Sequence, residues 1–370
     1  MSIKMYPLLE TYSKSQLGFL SPSISKVGGS NWYSFYFDID SSVIDTDLED
    51  YPVLLHLSSL SGKNSYDVTN IFSILGSNSK KIKVTTDAEG LIQCYVEIDY
   101  WDESTNEAWI WIKIPLISST SDTRIYVWYN NNSEDNATYI GNTGEEPATN
   151  VWDSDFLAVY HMNGVLDSTL NTNDLTDTST SDAEGLIGKC RYFAGSDSNY
   201  LSITSSSFNL PNLFTVQCSY KGDGTQVSYA TIHGKDNGYA DRNWWAAFTL
   251  TTEYDWFRAS YSENSTYIDV NTGISVVDDE NWHTHSIRYD NTTLQQADID
   301  VDLTNGKLTG LTNSLQGTDS VFSIGKSATT AGRYFKGWID ELRISSVRRD
   351  DSWIKADYYN WNDNFLTFGE

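Results

Sequence analysis

The sequence has little cysteine, little positive charge and no long apolar run. Its three cysteines, Cys94, Cys190 and Cys218, show no Cys-x-x-Cys spacing, which points away from thiolate metal knuckles and redox dithiols. Cys94 alternates with Ile92, Val96 and Ile98, and Cys218 with Phe214 and Val216. Both thiols therefore sit on apolar strand faces as buried free cysteines, with a Cys190–Cys218 bridge as the alternative. Lysine and arginine total 24 against 50 aspartates and glutamates, a formal charge of −26. That balance repels phosphate backbones and anionic membranes and argues against nucleic-acid binding. No apolar run approaches the roughly 18 residues of a membrane span. The N-terminus MSIKMYPLLETYSKSQLG lacks the basic region, apolar core and cleavage site of a secretory leader. The expectation is a protein not inserted in a membrane, reaching the outside with its leader trimmed or by another route. Gly-x-Ser-x-Gly and Gly-x-x-x-x-Gly-Lys motifs are also missing, so neither a nucleophile elbow nor a phosphate loop is in view.

What the chain does have is aromatic side chains, 13 Trp, 24 Tyr and 14 Phe in 370 residues, separated by turn-forming Ser, Thr, Asn, Asp and Gly. That mixture predicts an all-β protein, long enough for two domains. Residues 1–30, with Pro7, Pro22 and Gly28-Gly29, read as an extended arm that anchors to a neighbouring subunit or is loosely ordered. From Trp32 the hydrophobic period is two. Tyr33, Phe35, Phe37 and Ile39 share one face, Ala108, Ile110, Ile112 and Ile114 another, and Ile125, Val127 and Tyr129 a third, as in a half-buried β-sandwich over residues 31–140. The polar stretch Asn130 to Asn150 marks the boundary, and short strands recur through 151–370 with the spacing of a sandwich or jelly roll. One helix is expected at DDSWIKADYYN, capped by Asp350 or Asp351.

Two sets of aromatics are candidates for ligand contact. Trp109 and Trp111 alternate with isoleucines, and Tyr126 and Trp128 do the same in the next strand. Paired as a hairpin, these strands would line one face with four rings, either a sugar-stacking platform or a packing surface for the second domain. Farther on, Trp244, Trp245, Tyr254 and Trp256 gather beside Asp241 and Arg242, the mix of rings and polar fingers a glycan cleft uses. Of adjacent tryptophans on a strand, one faces the core and one faces out. His161 and His283 read as structural. His283 and His285 share a strand face but lack a third ligand, so zinc is not expected.

The segments AVYHMNG (158–164), the Asp167–Asp174 loop, GLIGKCRYFAGSDSNYLSI, NLFTVQCSYKG, NWHTHSIRYD and the terminal YFKGWIDELRISSVRRDDSWIKADYYN resemble the LamG-like, concanavalin A-like jelly rolls of surface proteins, in order over nearly all of 151–370. NWYSFYFDI, DYPVLLHL, EAWIWIKIPLI and RIYVWYNN resemble an uncharacterised all-β family that commonly precedes such a jelly roll in microbial surface and phage proteins. The fold class implied is an N-terminal β-sandwich followed by a concanavalin A-like jelly roll. The resemblance also implies Ca²⁺ near the first loop and the last strand, held by Asp167, Asn171, Asn173 and Asp340; ordinary turn chemistry by these side chains is the alternative.

The stretch EIDYWDE is similar to the Glu-x-Asp-x-x-Glu strand on which jelly-roll glycosidases carry nucleophile and acid/base. Retaining enzymes need the two carboxyls about 5–5.5 Å apart. Alternation puts Glu97 and Asp99 on one face and sends Asp102 to the other unless a bulge intervenes, so a structural strand is the favoured reading. The function expected is non-enzymatic binding of glycans or a host surface by a protein of the cell exterior or of a virion, as a tail or capsid-decorating component. The jelly roll would engage the ligand, the N-terminal domain and arm would join an assembly, and a homo-oligomer is compatible. A glycoside hydrolase built on Glu97 with Asp99 or Asp102 is the competing class, and a purely structural assembly protein the third.

Overall fold

The computed structural model describes residues 23–27, 30–236, 242–248, 254–260, 267–275, 279–317, 320–328 and 330–370. The chain is all-β in two sandwiches, with one long helix between them. In the first, a five-stranded sheet runs Ser23–Val27, Ser30–Ile39, Thr123–Tyr129, Ile82–Thr85, with Leu366–Gly369 also against Ser30–Ile39. It faces a four-stranded sheet of Leu48–Leu57, Glu107–Ile117, Val96–Asp102 and Ile140–Asn142, the last pair parallel. Alternation places Phe35, Phe37 and Ile39 from one sheet against Ile110, Ile112 and Ile114 from the other, all buried, as a half-buried strand pattern requires. Of the expected N-terminal arm, residues 1–22 lie outside the described residues, while Ser23–Val27 pairs with Ser30–Ser34.

The expected hairpin of the two Trp-bearing strands does not form. Glu107–Ile117 pairs with Leu48–Leu57 and Val96–Asp102, whereas Thr123–Tyr129 pairs with Ser30–Ile39 and Ile82–Thr85. The two strands therefore lie in opposite sheets, and Trp109 and Trp111 share no face with Tyr126 and Trp128.

The second sandwich stacks a seven-stranded sheet on an eight-stranded one, with the strand Phe156–Tyr160 added beside Lys336–Ser345. Phe193, Phe214, Val216, Trp244, Phe257, Ile287, Ile299 and Ile344 fill the space between. All three cysteines are free and buried. Asp298 and Asp300 lie on the strand Gln296–Val301.

The two sandwiches share material. The terminal strand Leu366–Gly369 crosses back to pair with Tyr36–Ile39, and Phe365, Leu366 and Phe368 enter the first core. Before it, the helix Asp351–Trp361 starts on Asp350, whose carboxylate accepts from Trp353 N–H at 2.8 Å, the expected side-chain cap. Its Asn360 accepts from Leu54 N–H at 3.0 Å and donates to Pro52 C=O at 3.1 Å, tying the helix to the first domain. Trp353, Ala356 and Trp361 from the helix, and Phe156, Val159 and Ile187 from the second sandwich, belong to the same apolar cluster as the first core. Among the described residues no helix is long and apolar enough to cross a membrane.

Candidate functional site

Two bulges and the end of a third strand meet at the junction of the sandwiches. In the first domain Ile98 pairs with Ile110 but Tyr100 with Trp109, so Asp99 is an extra residue. In the second, Gln217 pairs with Arg343 but Ser219 with Asp340, and Glu341 sits at φ 49°. Bulges re-aim side chains that strict alternation would send elsewhere. Between them His161 follows the strand Phe156–Tyr160, just before Met162 at φ 59°.

Glu97 is enclosed here. It accepts from Trp152 Nε1–H at 2.6 Å and from Ser168 Oγ–H at 2.8 Å, both residues beyond the polar stretch that ends at Asn150, and is fully buried. His161 sits between Glu97 and Glu341, with Nε2 3.3 Å from Glu97 Oε1 and Nδ1 2.6 Å from Glu341 Oε1. Arg343 donates to Glu341 Oε2 at 2.9 Å. Indoles wall the two cations. Trp111 stacks on His161 with centroids 5.6 Å apart, and the Arg343 guanidinium lies 4.3 Å from Trp111, 4.9 Å from Trp152 and 4.7 Å from Trp361, a cation–π cage. Below, Asp357 of the helix accepts from Tyr51 Oη–H at 2.7 Å and Gln217 Nε2–H at 2.8 Å, one from each domain.

Burial alone would drive the His161 imidazole down, but Glu341, Asp99 and Glu97 around it outweigh that and hold it well above its usual value. Burial pushes the Asp99 carboxyl up to about 8, His161 opposing and Glu341 and Glu97 adding. It also lifts Asp340 far above the carboxylate range, while Glu341 stays below it because His161 and Arg343 more than offset burial. The carboxylates thus share one imidazolium and one guanidinium, an arrangement suited to locking two bodies in register and leaving Glu97 no open side toward a substrate. Asp102, expected on the far face unless a bulge intervened, is returned by the bulge at Asp99 to the Glu97 side of the strand; it is half-buried and bonded by Ser104, whose hydroxyl and N–H hold its carboxyl down to about 2.

The structure separates the other candidates. Trp111 is fully buried in the joint, Trp244 is fully buried between the jelly-roll sheets, and Trp128 is buried with its Nε1–H on Thr85. None of the three offers a ring to a ligand, a correction that follows from their covered faces. Trp109 is buried too, stacked on His56 at 3.8 Å. Asp241 and the Arg242 side chain lie outside the described residues.

Of the four calcium candidates, Asp167 spends its oxygens on Val159 N–H, Thr169 N–H and Oγ1–H, and Asn173 N–H at 2.9–3.0 Å. Asn171 and Asn173 donate to main-chain carbonyls of 156–157, the turn chemistry of such side chains. Asp340 bonds instead to Ile187 N–H, with Glu341 and Asp99 as its charged neighbours. Asn171 and Asn173 share the Leu157 carbonyl and Asp167 accepts from Asn173 N–H, whereas Asp340 shares no bonding partner with these three. Beside the Asp167 loop, a cleft of about 460 Å³ opens toward Thr143–Thr149, lined by Glu145, Glu146, Asp174 and the exposed Leu166 and Leu170.

Residues 194–355 match the family model of the concanavalin A-like lectin/glucanases superfamily, and residues 78–173 that of a domain of unknown function, DUF2341. The second domain is a concanavalin A-like jelly roll. No curated protein matches the chain. Among solved structures it is similar to domain 4 of AbnA, a GH43 extracellular arabinanase from Geobacillus stearothermophilus in complex with arabinotriose, at 21% identity over 55% of this chain and 98% of that one, TM-score 0.44. It is similar also to the binding domain of Paraclostridial Mosquitocidal Protein 1, at 10% identity over 56% of this chain and 52% of that one, TM-score 0.47. A third is the Botulinum neurotoxin serotype G binding domain, at 13% identity over 55% of this chain and 50% of that one, TM-score 0.44. The chain spans about half the length of the two toxin domains.

On the outer face of the concanavalin A-like domain's seven-stranded sheet, Trp245 and Trp256 form a cluster apart from the core but are themselves buried, at 1% and 5% exposed, so the expected ligand contacts by their rings are corrected too; half-buried Tyr229 packs on them at 5.8 and 5.6 Å. Arg333 lies 4.9 Å from the Tyr229 ring. Arg258 lies 4.0 Å from both Trp256 and Tyr267, the latter 43% exposed. Tyr254 is half-buried at the start of the same strand as Trp256. Sequence reasoning reached Trp245, Trp256 and Tyr254 but missed Tyr229, Arg258, Tyr267 and Arg333, which come from separate segments. In the joint it missed Trp152, Ser168, Glu341 and Arg343. The available signal was IDELRI, three charges inside an otherwise apolar strand.

Proposed function

We propose that the protein is a non-enzymatic binding module whose concanavalin A-like domain holds a glycan on the outer face of its seven-stranded sheet. The observation that carries this reading is the partly exposed pair Tyr229 and Tyr267, which lie beside buried Trp245 and Trp256 with Arg333 against Tyr229 and Arg258 against Tyr267. Sugar C–H faces stack on exposed rings and a guanidinium such as that of Arg333 donates to hydroxyls, while Arg258 donates to both carboxylate oxygens of Asp269 and holds the rings in place. The buried joint favours binding over hydrolysis, because Glu97 is consumed by Trp152 and Ser168. The first domain, fused to the second through a shared helix and strand, carries the ligand-binding face on a larger assembly at a cell exterior or a prokaryotic virus particle.

A glycan array probed with the full chain tests the reading. Binding of a defined glycan class without product release is expected, weakened about tenfold or more by Tyr229→Ala or Tyr267→Ala, the loss of roughly 1.4 kcal/mol or more at one stacking ring. A silent array would favour the purely structural assembly role. Release of shortened glycan, abolished by Glu97→Gln, would establish the hydrolase instead.

A further inference from the structure

The joint between the domains gathers four carboxyl groups around two basic side chains. Glu97, Asp99, Asp340 and Glu341 face one guanidinium, Arg343, and one imidazole, His161. Asp99, His161 and Glu341 each offer a ligand atom, and those atoms all lie within 4.8 Å of one another. Several buried atoms at this junction have no hydrogen bond, Arg343 Nε and Nη1 and the Trp111 and Trp361 indole nitrogens among them, and two are potential metal ligands: Asp340 Oδ1 and His161 Nε2, the latter 3.3 Å from Glu97 but without hydrogen-bond geometry. Unsatisfied polar atoms in a dry interior are costly, and an ion is one remedy.

We propose that Asp99, His161 and Glu341 form a divalent metal site at the domain junction, selective for a first-row transition ion such as Zn²⁺ or Mn²⁺. An imidazole nitrogen beside carboxylate oxygens suits these ions, whereas Ca²⁺ prefers oxygen ligands alone. In tetrahedral geometry an ion about 2.0–2.2 Å from each ligand holds the ligand atoms about 3.3–3.6 Å apart, so the side chains close the site by drawing in by up to about 1 Å. The ion would take the place of the imidazole proton and bring positive charge to the carboxylates. Asp99 keeps some solvent contact, which gives the ion a way in. The ligands come from both domains, so the metal would staple them together, and the site is separate from Tyr229 and Tyr267.

The full chain, stripped with chelator, is titrated separately with Zn²⁺, Mn²⁺ and Ca²⁺, and retained metal is measured by plasma mass spectrometry with thermal melts alongside. One Zn²⁺ or Mn²⁺ per chain and a raised melting temperature are expected. Asp99→Asn should bind at least about tenfold more weakly, since even loss of a ligand's supporting partner costs that much, while Asp102→Asn on the same strand binds normally. Co²⁺ loaded into the unmutated chain should give a ligand-field absorption of mixed nitrogen and oxygen coordination, a readout that does not depend on any variant folding. No retained ion, retention of Ca²⁺ alone, equal retention by Asp99→Asn, or no cobalt band would each overturn the proposal.

Discussion

Glu97→Ala removes one of the buried groups through which the two domains are bonded. Its oxygens take the Trp152 and Ser168 donors at 2.6 and 2.8 Å with no exposed surface. Truncation leaves both donors buried and unpaired, at about 1–3 kcal/mol each. It also takes one carboxylate from beside the raised His161 imidazole, and breaking a buried pair costs about 3–5 kcal/mol. These terms overlap, since all report on one side chain, so the expected loss is about 4–6 kcal/mol. That is a large part of the roughly 5–15 kcal/mol of a folded protein. Glu97→Gln keeps the shape and one acceptor oxygen and should cost about 1–3 kcal/mol. Urea unfolding followed by tryptophan fluorescence reads both, since Trp111 and Trp152 flank the site. A Glu97→Ala cost within about 0.5 kcal/mol, as for an exposed carboxylate, would refute the enclosed role of Glu97.

Three further outcomes follow from other parts of the molecule. His233 is fully buried between Trp244 and His285, which carries Asp255 on its Nδ1, and burial with His285 holds its imidazole well below the ordinary value. The unfolded chain therefore takes up this proton first as pH falls, so the His233 contribution to stability drops below about pH 6.5, with a slope approaching about 1.4 kcal/mol per pH unit, while Asp99, Asp340 and His161, raised in the folded state, contribute in the opposite direction. Tyr220 and Cys218, the other titratable groups near Asp255, have values well above neutral and do not titrate in that window. In melts at pH 7.5 and 5.5, His233→Leu should gain stability relative to the unmutated chain as pH falls; the same pH response in both would contradict the assignment. Phe368→Ala empties a site packed on Phe35, Phe37 and Tyr66 at 5.9–6.4 Å and should cost about 3–5 kcal/mol, measured by chemical denaturation. Gly325→Ala should also destabilise, because at φ 84° an added Cβ would lie 2.1 Å from Phe193 Cδ1; an unchanged melting temperature would count against that packing.

Local features were the legible ones. Period-two runs identified the strands, the Asp-rich start of DDSWIKADYYN identified the helix, and the ordered segments of the second half identified the jelly roll. Partnership across long separations was not legible. Glu107–Ile117 and Thr123–Tyr129 are neighbours in sequence, and neighbours usually pair, yet they sit in opposite sheets. Nothing local marks Leu366–Gly369 as an edge strand for residues more than 300 positions earlier. The bulges at Asp99 and Glu341 were equally hidden, since a single extra residue leaves the hydrophobic pattern almost intact. Glu97 looked solvated because a charged side chain on an isolated strand usually is. Its enclosure depends on Trp152, Ser168 and His161, which only the folded chain brings to it.

Calorimetry of the full chain puts the joined architecture to its most direct test. A shared core, a shared helix and the Glu97–His161–Glu341–Arg343 lock predict one cooperative unfolding transition, with calorimetric and van't Hoff enthalpies equal. Two resolved transitions, unaltered in spacing by Glu97→Ala, would contradict the account.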